Sequence, residues 1–135
     1  MAEFAGVTID AHEITGLVDA IAKASAPAVS EVTAVVAKGA LNIKTDAARR
    51  VSGLKHATAY PRSITYDMGF AFATGPYAEI GPDKNKRQGA LGNLLEYGSI
   101  HNAPHPHLRP AADAEEPKFE AALEALMVGK LGGLG

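Results

Sequence analysis

The sequence predicts an α+β domain with a small antiparallel sheet. Three observations carry that expectation. A stripe of apolar residues at helical spacing runs through the first third of the chain, alternation around a turn signal occupies the middle, and a second helical stripe comes near the end. The expected order is a long N-terminal helix, a β-hairpin, a short helix, a proline-rich strap and a C-terminal helix. Residues 1–135 read as a single domain, because no internal repeat and no linker divides them.

The long helix rests on Ile14, Val18, Ile21, Ser25, Ala28, Val32 and Val35, which alternate steps of four and three. Leu17, Val29 and Val36 widen the stripe. Thr8 or Asp10 is expected to cap its start, and Asp10 with Glu13 resembles a capping box. Pro27 removes one hydrogen bond, yet the stripe continues in phase across it, which predicts a kink rather than a break. The end is expected between Gly39 and Arg50. Such a helix either packs on the sheet or lies across a neighbouring subunit.

In the middle, Ile64, Tyr66 and Met68 alternate with Thr65 and Asp67. Gly69 marks an expected bulge, after which Phe70 and Phe72 resume the first face. Ala73-Thr74-Gly75-Pro76 is the turn, and residues 77–80 form the returning strand. A third strand is expected from residues 54–60. "GPDKNKRQG" has no apolar position and reads as a loop. Leu91, Leu94 and Leu95 then fit a short helix, ended by Gly98. In the final helix Phe119, Leu123, Leu126 and Met127 share a face, with Pro117 in the first turn and Glu115 and Glu116 at the positive end of the dipole.

Composition narrows the function classes. Hydrophobic residues make up 47% of the 135, but many are alanine, and aromatics are limited to four Phe and four Tyr. The core is therefore modest, and part of the apolar surface suits a partner subunit. A formal net charge of −2 argues against non-specific nucleic-acid binding, which needs dense phosphate-neutralising cations. Arg49-Arg50 and Lys84-Asn85-Lys86-Arg87 read as solvated turns. Cysteine is absent, which removes disulfides, thiolate nucleophiles and cysteine zinc sites. "MAEFAGVTIDAHE" lacks the pattern of a signal peptide, and no apolar stretch is long enough to span a bilayer. The expectation is a soluble protein made in the cytoplasm, with no membrane partner.

The densest chemistry lies in "EYGSIHNAPHPHLRPA", residues 96–111. His101, His105 and His107 are candidate zinc ligands, with Glu96, Asp113 and His56 as remote further candidates. Ligands must converge on one point about 2.0–2.1 Å from each nitrogen. Pro104 and Pro106 disfavour the helix that would align His101 with His105. In a polyproline path, rising roughly 3.1 Å per residue, those two lie about 12 Å apart. A zinc-dependent hydrolase built on the strap is thus kept as the alternative from another class. There is no "GxSxG" elbow, Ser63 and Ser99 sit in no recognisable nucleophile context, and the glycine-rich loop lacks a phosphate-loop ending. Asp67 and Glu79 are expected to face each other across the hairpin as solvated carboxylates. No cofactor fingerprint appears, and no small-molecule substrate is implied. What the strap does offer is stiffness: prolines lose little entropy on docking, Leu108 supplies an apolar anchor, and Arg109 offers bidentate hydrogen bonding.

The order of elements, a mid-helix "APAV", "IGPD", "LLEYGS" and then "PHPHLRPA", resembles the small head–tail connector proteins of long-tailed bacteriophages, also called minor tail, neck or tail-completion components. Their pattern "E[FY]G[TS]" followed by "P-x-P-[FH]-L-R-P-A" is matched by Glu96-Tyr97-Gly98-Ser99 and by Pro104-His105-Pro106-His107-Leu108-Arg109-Pro110-Ala111. A "TG-x-L" segment of relatives is matched only loosely, by Ser52-Gly53-Leu54. The resemblance implies a structural virion protein of the neck or tail, a head-closure or tail-terminator component without enzymatic activity or cofactor. It implies a homo-oligomeric, hexameric ring between portal and tail tube, with head-completion and tail-tube proteins as neighbours and packaged DNA passing through. An assembly chaperone of the same phage module is a further alternative. In the resemblance Glu96, Tyr97, Gly98, Pro104, His105, Pro106, His107, Leu108, Arg109 and Pro110 form the subunit- or partner-binding segment. The aromatic that relatives carry at the position of His107 favours packing over ligation there. Glu96 and Arg109 are expected to pair with each other or across a subunit boundary.

Overall fold

A computed structural model of the chain describes residues 6–10 and 26–132. Its element order is β1 (Val7–Asp10), α1 (Ala26–Arg50), a 3₁₀ turn (Tyr60–Ser63), β2 (Ile64–Ala71), β3 (Gly75–Pro82), a 3₁₀ turn (Gly89–Leu91), α2 (Gly92–Tyr97) and α3 (Leu108–Gly132). The three strands form one antiparallel sheet in the order β1-β3-β2. This is the α+β architecture that periodicity predicts, with a three-stranded sheet whose hairpin has a long helix on either side of it in sequence.

Of the stripe predicted for α1, Val32 and Val36 are buried and Val29 and Val35 half-buried, and the buried row runs on beyond the residues predicted. Val32, Val36, Ala40, Ile43 and Ala47 are 0–1% exposed, and Val51 continues the row beyond the helix. The helix ends at Arg50, within the expected interval. Ile14, Leu17, Val18, Ile21 and Ser25 lie outside the described residues, as does the rest of 11–25, on which a kink at Pro27 depends. Asp46 accepts from Arg49 and Arg50 in the last turns, where cations also suit the negative end of the dipole.

The third strand is a correction. Residues 54–60 form turns leading into the 3₁₀ segment, and the sheet is completed by Val7–Asp10 instead. Thr8, expected as a helix cap, pairs with Glu79, and Asp10 is paired with Tyr77. Val7 and Ile9 alternate with Thr8 and Asp10, so the segment satisfies the period of a half-buried edge strand.

The hairpin register is continuous from Ile64↔Pro82 to Ala71↔Gly75, so Gly69 makes no bulge. Gly69 faces Tyr77, whose ring lies across it: a Cβ there would stand 2.4 Å from Tyr77 Cζ. The returning strand is longer than expected, and Phe72 belongs to the turn rather than to the strand face. Asp67 does stand opposite Glu79, as alternation requires.

Ile64, Ala78 and Ile80 close the core against α1, with Val7, Ile9 and Tyr66 packed around them. α3 crosses α1 and buries Leu108, Ala111, Phe119, Leu123 and Met127. Its stripe steps by three and then by fours, and Glu115 falls on it, 8% exposed. Asn42 of α1 donates to the Glu115 carboxylate at 3.1 Å, which satisfies a polar group at the helix crossing. The start of α3 is a second correction. The helix begins at Leu108, so Pro117 is internal, and Glu115 and Glu116 lie mid-helix rather than at the dipole's positive end.

Candidate functional site

The motif residues converge where α2, the strap and the start of α3 meet. α2 is six residues long and stops at Gly98, whose φ of 76° and ψ of −173° lie in a region open almost only to glycine. The Gly98 amide donates to the Leu94 carbonyl at 2.8 Å. Ser99 and Asn102 then exchange backbone hydrogen bonds at 2.9 and 3.3 Å, making a tight turn. The His105 amide returns to the Leu95 carbonyl at 2.6 Å. Residues 103–107 have no regular structure, consistent with an extended proline-containing path.

Glu96 is the centre of this construction. Its Oε1 accepts from the amides of His107 at 3.1 Å and Leu108 at 3.0 Å, and its Oε2 from the amide of Arg109 at 3.2 Å. A helix leaves its first four amides without internal partners. In α3 three of those positions are His107, Leu108 and Arg109, and the fourth is Pro110, which has no N–H. The Ala111 amide already bonds to the His107 carbonyl. One carboxylate from another helix therefore satisfies the whole N-terminus, and its charge opposes the positive end of the dipole.

His107 locks the same junction from the other side. The ring is 0% exposed. Its Nδ1 lies 2.9 Å from the His105 carbonyl and 3.1 Å from Glu96 Oε1, and its Nε2 lies 2.7 Å from the Tyr60 hydroxyl. The Tyr60 and His107 rings meet edge to face, 5.2 Å between centroids. Burial pushes the Tyr60 hydroxyl pKa up, and the nearby Glu96 carboxylate adds to it. Burial pushes the His107 pKa down, against the opposing pull of the His105 carbonyl and the Glu96 carboxylate.

Glu96, His107 and Leu108 thus turn inward, while Tyr97, Pro104, His105, Pro106 and Arg109 are exposed. Pro110 is half-buried in the first turn of α3. Glu96 and Arg109 do pair, but through the Arg109 backbone amide; the guanidinium reaches Asp113 at 3.2 Å. The three strap histidines do not converge. His101 and His105 are exposed, and both His107 nitrogens are engaged within the protein. Among the described residues no three His, Cys, Asp or Glu side chains stand close enough to share a metal ion.

Sequence reasoning missed Tyr60, which sits 47 residues from His107 with no local signal to link them. It also missed Gln88, whose side chain accepts from the Ala59 amide at 2.7 Å and donates to the His56 carbonyl at 3.2 Å, tying the turns before Tyr60 to the loop after β3. Outside the clasp, Tyr97 and Ile100 are 72% and 97% exposed beside the strap, and Phe70 and Phe72 are exposed at the hairpin tip. A groove of about 680 Å³ between β1, α1 and α3 has Ile9, Ile43 and Phe119 in its lining and Asp113, Glu116 and Glu124 among its carboxylates. No helix among the described residues is long and apolar enough to cross a membrane. Comparison of the chain with protein-family models, curated proteins and solved structures finds no match.

Proposed function

We propose that the protein is a structural component of a long-tailed phage particle, seated at the head–tail junction as a neck or tail-completion subunit. The observation that carries the reading is what the motif residues do. Glu96, Gly98, His107 and Leu108 are spent on holding a strap in one path, and the strap's outer side is left to solvent with Ile100, Pro104 and Pro106 on it and Tyr97 of α2 beside it. A stiff exposed segment with apolar side chains suits docking, because little entropy remains to be lost on binding. The Glu96 carboxylate and both ring nitrogens of His107 are engaged by backbone groups and by Tyr60. In this reading copies of the chain form a ring, hexameric by the family resemblance, between head-completion and tail-tube proteins. DNA passes through without sequence-specific contact.

The test is electron microscopy of lysates from a phage or prophage in which the gene is disrupted. Filled heads and finished tails lying apart are expected. Tails of abnormal length assign the protein to tail termination instead. Failure of heads or tails to form at all points to an assembly chaperone, and normal infectious particles overturn the reading.

A further inference from the structure

We propose that the Tyr60–His107–Glu96 clasp is an acid-sensitive latch, which holds the strap against α2 and the start of α3 only while the His107 ring is neutral. The inference concerns regulation of the surface proposed above to bind a partner, and it rests on that reading only for what the strap docks to.

The hydrogen bonds fix the charge state that fits. The His105 carbonyl only accepts, so His107 Nδ1, 2.9 Å away, carries a proton. Glu96 Oε1 faces the same nitrogen at 3.1 Å. With Nε2 unprotonated, the Tyr60 hydroxyl donates to it across 2.7 Å. A neutral ring therefore satisfies both nitrogens and the phenolic hydrogen together. A second proton, on Nε2, sets two donors against each other. The hydroxyl must turn to accept, and its hydrogen leaves its buried acceptor. The new charge also sits on a ring with no exposure to water.

The surroundings only partly offset this. Glu96 attracts an imidazolium, but both its oxygens already accept from backbone amides. The amides at the start of α3 present the positive end of a helix to the ring. The His105 side chain, when charged, repels it, and the Arg109 guanidinium is turned toward Asp113. Burial outweighs the favourable contacts, so the ring titrates below its ordinary range. Residues 99–106 are exposed, and the His105 amide ties them to α2 at the Leu95 carbonyl.

The experiment is nuclear magnetic resonance of the full chain between about pH 7.5 and pH 5.5. It reads the His107 ring titration and the exchange of the Leu108 and Arg109 amides, corrected for intrinsic rates. The ring is expected to titrate below about 6.5. Exchange of the two amides is expected to accelerate on acidification, by up to about tenfold for each pH unit by which the folded pKa lies below the free value. The Ile43 and Ala47 amides in α1 are expected to hold steady. In His107→Gln, which cannot titrate, the step is expected to vanish. A ring pKa at or above the free value overturns the latch, and that readout needs no variant. So does an equal step in His107→Gln, or α1 amides that accelerate in parallel. Particle assembly plays no part in this readout. A working latch in a protein whose loss leaves particles normal overturns the connector reading alone, and a joining defect with flat exchange overturns the latch alone.

Discussion

Glu96 joins α2 to the start of α3 through its carboxylate. It is 6% exposed and holds three amides that have no other partner at the start of α3. Glu96→Ala is expected to cost about 2–4 kcal/mol, since it removes a charged acceptor and leaves buried donors unmade. Glu96→Gln keeps one good acceptor oxygen and is expected to cost about half as much; urea unfolding at neutral pH measures both. Gly98 bears on the same junction. Its backbone lies in a glycine-only region, and a Cβ would stand 2.8 Å from the Pro104 nitrogen, so Gly98→Ala is expected to lose about 1–3 kcal/mol by the same assay. His107 sets the pH dependence. Its folded pKa lies below its unfolded value, so its contribution to stability is complete above about pH 6.5. As pH falls below that value the unfolded chain takes up a proton first, and stability declines until the folded pKa is passed. The urea midpoint is therefore expected to drop between about pH 7 and pH 5, and by less in His107→Gln. These residues were legible in the sequence as a motif, but their roles were not. Nothing local says that Glu96 caps a helix that begins twelve residues later, or that Tyr60 supplies the hydrogen bond for His107.

Among the elements, those set by their own periodicity were legible and those set by distant partners were not. The core stripe of α1, the hairpin alternation and the stop at Gly98 follow from residues within one or two turns of each other. The start of α3 does not, because its cap is Glu96 rather than a residue at its own N-terminus. Pro117 looked like a helix start for the same reason: it is the usual first-turn residue, here placed in an interior that packing on α1 sustains. Edge strand β1 was hidden by its length, four residues that also fit a helix cap. The misplaced third strand lies where Ala57 and Tyr60 are buried by turns rather than by pairing. Pro117 offers a test at this scale. Inside α3 it removes one backbone hydrogen bond and crowds the preceding turn, and its own side chain is exposed. Pro117→Ala is expected to raise stability by about 1–2 kcal/mol, the helical gain less the added freedom of the unfolded chain, seen as a higher thermal midpoint.

At the scale of the whole molecule, the sheet reaches further than the helices that cover it. Along one face of β2 the exposure climbs from Ile64 at 1% through Met68 at 39% to Phe70 at 61%, and Phe72 in the turn is fully exposed. Met68 and Phe70 continue the apolar alternation where exposure rises, and with Phe72 in the adjoining turn they give the hairpin tip an apolar patch. A small core with an uncovered apolar extension is what a subunit that completes its burial in an assembly requires. Because Phe72 touches little of its own chain, Phe72→Ser is expected to change folding stability by no more than about 0.5 kcal/mol. If the tip is a contact between subunits of a particle, the same substitution lowers incorporation into particles while the free protein unfolds at an unchanged urea concentration. Complementing a gene-disrupted phage with the variant, and counting joined heads and tails beside the unfolding curve, reads both at once. Normal joining by Phe72→Ser removes the tip from the interface, and a joint loss of folding and joining shows that Phe72 supports the fold itself.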